Sequence, residues 1–62
     1  MPMIVFDGPR LSKEQKAEIA RDFTETGARV TGIRKEAFVV IIKENDPENI
    51  GVGGELLVDR GK

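Results

Sequence analysis

The run Phe38-Val39-Val40-Ile41-Ile42 constrains this chain more than any other feature. It is uninterrupted and mostly β-branched, which suits a strand. It also lacks the apolar–polar alternation of a strand with one wet face, and strands of this kind are covered on both sides. A chain of 62 residues has little material with which to cover two faces. Domains of about 60 residues bury only about 60% of their unfolded surface, and many lean on disulfides, metals or assembly. The sequence holds no Cys and no His, which removes disulfides and the thiolate and imidazole sites that hold zinc. Assembly is left, so the sequence predicts an obligate homo-oligomer.

Residues 1–62 read as a single α/β domain. Met3 to Asp7 is apolar and β-branched, ends at Gly8-Pro9, and predicts a first strand. Ser12-Lys13-Glu14-Gln15 has the form of a capping box, with Ser12 as N-cap and Gln15 at the third helical position. Ile19, Phe23 and Val30 follow at helical spacing, with Ala20 and Gly27 between them and charged residues on the other faces. Gly32 stands where a glycine ends a helix. The second strand is expected over Ala37–Lys43, followed by a loop at Asn45–Asn49. Gly51-Val52-Gly53-Gly54 reads as a tight turn into a short arm, Glu55–Val58. A phosphate-cradling loop is the poorer account, because the P-loop lysine and glycine spacing are missing. The tail, Asp59 to Lys62, is polar and expected to fray. Strand, helix, strand is a β-α-β unit with parallel strands, here with a short C-terminal strand or hairpin added.

Charge narrows the function. Ten basic and eleven acidic residues give a net charge of −1 without a basic run, which argues against nucleic acid as partner. No segment approaches the about 18 consecutive apolar residues of a membrane span, and no leader-type segment precedes the first strand. A soluble cytoplasmic protein is expected. Proton chemistry has few candidates in a chain with no His, Cys or Tyr. The α-amino group titrates at about 7.7–8.0, and acid–base catalysis works best near the operating pH. Pro2 follows Met1, and a small second residue normally permits removal of the initiator methionine. Pro2 would then carry a secondary amine at the head of an apolar strand, where desolvation or a neighbouring cation lowers its pKa toward neutrality. A proline that merely suits the start of a strand is the bland alternative. Arg10, in the loop before the helix, is either a solvated side chain or a clamp for a carboxylate. Lys43 and Glu44 read as surface residues.

Taken together, these residues resemble the 4-oxalocrotonate tautomerase family. The likeness spans nearly the whole chain and rests on four segments: Met1-Pro2 before an apolar strand, Ser12-Lys13-Glu14-Gln15-Lys16 opening the helix, the strand Phe38–Glu44, and Ile50-Gly51-Val52-Gly53-Gly54-Glu55-Leu56. It implies small β-α-β subunits in a homohexamer, a trimer of dimers, with no metal and no organic cofactor. It also implies a function: enol–keto tautomerisation of small unsaturated 2-hydroxy or 2-oxo acids, with Pro2 as base and acid. Protein that keeps Met1 would be inactive, because Pro2 is then an amide.

The implied substrate-binding residues are Arg10, Val39 and Ile50, and each departs from the family pattern. Leu11 separates Arg10 from the N-cap, which the family's loop arginine directly precedes. Val39 stands where the family has a second arginine, and Ile50 where it has a phenylalanine. Other reactions of the superfamily (dehalogenation, decarboxylation) therefore stay open, as does a non-catalytic binding protein on the same scaffold.

Overall fold

The computed structural model describes residues 1–60. Two strands, β1 (Met3–Gly8) and β2 (Val39–Glu44), pair in parallel and are joined by one helix, α1 (Lys13–Thr31). The register sets Met3 against Val39 and Gly8 against Glu44. A second, antiparallel pair, β3 (Gly51–Val52) and β4 (Glu55–Leu56), forms the C-terminal arm.

Local chemistry fixes the helix at both ends. The Ser12 hydroxyl accepts the Gln15 N–H at 3.1 Å, and the Gln15 side-chain carbonyl accepts the Ser12 N–H at 2.9 Å. Two of the orphan donors at the N-terminus are thereby satisfied. At the other end Gly32 takes φ 77° and donates to the Ala28 carbonyl. The inward face carries Ile19, Ala20, Phe23, Thr24, Gly27 and Ala28. Phe23 meets Phe6 edge-on at 6.0 Å between ring centroids, a favoured aromatic geometry. A side chain at Gly27 would have nowhere to go, since a Cβ there would lie 2.6 Å from the Phe38 ring. In the arm, Gly53 and Gly54 have φ 63° and 87°. Positive φ at both central positions of a two-residue hairpin turn is the geometry that matches strand twist.

Several expectations shift at the element ends. The second strand starts at Val39 rather than Ala37, because Lys35–Ala37 closes a 3-10 turn in which Phe38 N–H bonds the Lys35 carbonyl. Pairing with β1 begins where Val39 N–H reaches the Pro2 carbonyl at 3.0 Å. The loop at Asn45–Asn49 contains a second 3-10 turn, Pro47–Asn49. Strand pairing in the arm ends at Leu56, and Leu57–Asp59 is a third turn, so the tail is regular as far as Asp59. Gly61 and Lys62 lie outside the described residues.

Val30 has the spacing of an inward residue but is 71% exposed. It continues a flank of α1 that none of the described residues covers. Lower on that flank, Leu11, Gln15, Glu18, Ile19, Asp22 and Phe23 line a shallow groove of about 270 Å³.

Among the described residues none is fully buried. Ile4 and Phe6 point toward the helix, while Met3 and Val5 point away, and Met3 is 56% exposed. Strand alternation places Val39 and Ile41 on the same outer face as Met3 and Val5. One helix covers one face of the sheet and leaves an apolar face bare. The accessible surface is 4861 Å², against about 4,000 Å² for a folded monomeric protein of this mass. The radius of gyration is 15.2 Å, where a compact domain of this length has about 10.6 Å.

Candidate active site

Pro2 sits one residue before β1, half-buried, with its carbonyl held by the Val39 N–H. The chain therefore brings Pro2 and Val39 together at the end of the sheet where both strands start. Met1 extends beyond it and is 87% exposed, so the Met1–Pro2 bond is open to a peptidase. While Met1 remains, the Pro2 nitrogen is a tertiary amide and has no basic lone pair. Loss of Met1 would make that nitrogen a secondary amine.

Arg10 lies beyond the opposite end. It follows Gly8, the last residue of β1, and a strand of six residues spans about 20 Å. Its guanidinium binds Asp46 through two contacts, Nε–Oδ1 at 2.7 Å and Nη2–Oδ2 at 3.1 Å. This is the forked geometry by which arginine recognises carboxylates, but the carboxylate is the chain's own. The Arg10 side chain remains 76% exposed. Ile50 is half-buried in the arm, donating to the Pro47 carbonyl at 3.4 Å and accepting the Leu57 N–H at 2.8 Å. One protomer thus joins Pro2 with Val39 and leaves Arg10 and Ile50 with other partners.

Glu44, which reads in the sequence as a plain surface residue, has a positioning role. It is solvent-exposed, yet its carboxylate accepts the Leu11 N–H at 2.9 Å and pairs with Lys16 at 3.3 Å. The Leu11 hydrogen bond, then the Lys16 ammonium, hold its carboxyl below the ordinary carboxylate range, with Arg10 adding a smaller push. Asn45 N–H bonds the Gly8 carbonyl at 2.8 Å beside it. These contacts pin the Arg10 loop to the end of β2. The only sequence signal for them is the Glu-Asn-Asp run following an apolar strand. Lys43 stays exposed, opposite Asp7 in the strand register.

A two-stranded parallel sheet with one crossover helix, an N-terminal proline at its head and a glycine-turned arm defines a class of small α/β subunit. The family model described as "Tautomerase enzyme" matches residues 2–60, and the chain belongs to that family. It is similar to the probable tautomerase Cj0270 of Campylobacter jejuni, 45% identical over 47 residues, which cover 76% of this chain and 69% of the relative. The crystal structure of DmpI from Archaeoglobus fulgidus superposes with a TM-score of 0.83 at 34% identity, covering 94% of this chain and all of that one. A 4-oxalocrotonate tautomerase from Chloroflexus aurantiacus, described as a heterohexamer, gives 0.84 at 28% identity over 97% and 98% of the two chains. The β-α-β tautomerase fold expected from the sequence is the fold observed.

Proposed function

We propose that this chain is a cofactor-independent enol–keto tautomerase of small unsaturated 2-hydroxy or 2-oxo acids, with Pro2 as general base and acid after Met1 is removed. The placement of Pro2 supports the reading: its carbonyl accepts the Val39 N–H at the head of the sheet, it is half-buried, and the Met1 that caps its nitrogen is exposed. The neutral amine takes the enol O–H proton, leaving an enolate conjugated with the carbon–carbon double bond. The ammonium then returns a proton to carbon, and the C–H bond forms as the carbonyl does. An α-amino group ordinarily titrates at about 7.7–8.0, and acid–base catalysis works best with a group titrating near the operating pH.

The carboxylate clamp proposed for Arg10 needs a second copy of the chain. Within one protomer Arg10 and Pro2 stand at opposite ends of a sheet about 20 Å long, too far apart for one small acid to touch both. A neighbouring copy running the other way puts its Arg10 end beside Pro2 and covers the bare sheet face as well. Val39 and Ile50 then serve as apolar wall. A homohexamer built as a trimer of dimers satisfies these demands. A second reading, a binding protein without catalysis, is favoured by one observation: Arg10 is already engaged by Asp46.

Ketonisation of phenylenolpyruvate or 2-hydroxymuconate by Met1-free protein separates the two. The enzyme reading expects activity that is lost in Pro2→Ala and in protein retaining Met1. Equal rates for Pro2→Ala and the unaltered protein would defeat it.

A further inference from the structure

The charges of this protomer divide along the sheet axis. Where the strands end, Arg10 pairs with Asp46 and Lys16 with Glu44, and Lys43 faces Asp7 across the ladder. The end where the strands start is different. The chain leaves α1 at Gly32 and returns through Arg34, Lys35 and Glu36 directly into β2 beside Pro2. Arg29 stands in the last helical turn at the same end. Among the described residues Arg29, Arg34 and Lys35 form no ion pair. Glu36 is the sole carboxylate between Thr26 and Lys43. The Pro2 end is therefore electropositive, and its cations are uncommitted.

Distance favours two of them. Continuing the strand register places Pro2 against Phe38, and parallel strands lie about 4.8 Å apart. The turn that bonds Phe38 N–H to the Lys35 carbonyl spans three residues at about 2 Å rise each. The Lys35 backbone thus lies roughly 8 Å from Pro2, and that of Arg34 roughly 10 Å. Extended lysine and arginine side chains cover about 6–7 Å at standard bond lengths. An acid seated on the Pro2 nitrogen lies within their reach, whereas Arg10 of the same protomer does not come close.

We propose that Arg34 and Lys35 bind the substrate carboxylate at Pro2, supplying from the 3-10 turn the cationic contact that Val39 cannot make. This rests on the reading of Pro2 as the base. The carboxylate lies toward the turn, the enol over Pro2, and the remaining carbon chain along Val39. Charge-assisted hydrogen bonds to a carboxylate are among the stronger ones, and losing such contacts costs about tenfold or more in binding. The substrate class this arrangement selects is a 2-hydroxy-enoate with a free carboxylate and an apolar tail.

The test compares phenylenolpyruvate with its methyl ester in Met1-free protein, its Arg34→Gln/Lys35→Gln variant and a Lys13→Gln control at the far end. Matched circular dichroism and sedimentation profiles establish that the variant folds and assembles. The double variant is expected to lose about tenfold or more in kcat/KM for the acid, mainly through KM, with the ester nearly unchanged and the control like the parent. Retention of the parent's acid-to-ester preference by the double variant, or an equal loss in Lys13→Gln, overturns the assignment while leaving Pro2 chemistry intact. Absence of ketonisation in the parent overturns the function and this assignment together.

Discussion

Glu44 shows how an exposed side chain can position a loop. Its carboxylate joins the end of β2 to the Leu11 amide and to Lys16, and so holds the segment carrying Arg10. Because its pKa is depressed in the folded state, the stability it contributes is present above the unfolded carboxylate value. That contribution is lost as pH falls through the lower folded value. Glu44→Gln keeps an acceptor for Leu11 and removes the charge. The variant should melt below the parent at neutral pH, with the gap narrowing as pH drops below about 4.3. Thermal melts across pH 2–7 check this, and a gap that stayed constant would assign the role to shape rather than charge. Residues of this kind are poorly legible in sequence. Glu44 has the appearance of any polar strand end, and its partners lie 33 and 28 positions away.

The elements divide by the range of the forces that set them. Helix α1 is readable at both ends because its signals are local: Ser12 and Gln15 satisfy one another, and Gly32 takes the left-handed conformation that ends the helix. Ser12→Ala should cost about 1 kcal/mol, measured by denaturant unfolding, with Ser12→Asp close to the parent. The strand boundary at Val39 is not readable in this way. Ala37 and Phe38 are as apolar as the residues after them, but a strand exists only where a partner strand offers hydrogen bonds, and that offer begins at the Pro2 carbonyl. Leu57 and Val58 likewise have strand-like side chains but no strand opposite them, and they curl into a turn. Spacing alone puts Val30 on the inner face, yet it overhangs a flank of α1 that the protomer leaves open. Pro2 is legible as a candidate from its place at the head of an apolar strand, whereas the wide separation of Arg10 from Pro2 emerges only from the topology.

At the scale of the molecule, the protomer is incomplete by its own surface. It has no fully buried residue among those described, one bare apolar sheet face, and more exposed area than its mass warrants for a folded monomer. On the proposal that this face is covered by a second copy, the melting temperature should rise with protein concentration. Val5 lies on the bare face, so Val5→Asp would bury an unpaired carboxylate in any assembly that covers it. Analytical ultracentrifugation should show that variant as a smaller, less structured species. A Val5→Asp protein with the parent's mass and melting curve would mean that this face is not an interface.

In the proposed mechanism the Pro2 nitrogen is the working base. That role is tested most directly by specific [15N]proline labelling of Met1-free protein, following the Pro2 resonance through a pH titration alongside the pH–rate profile. The amine should titrate near neutrality, and kcat/KM should rise with pH through that same pKa as the ammonium gives up its proton. A rate that ignores the Pro2 titration, or a Pro2 amine that stays protonated throughout the active range, would contradict the account.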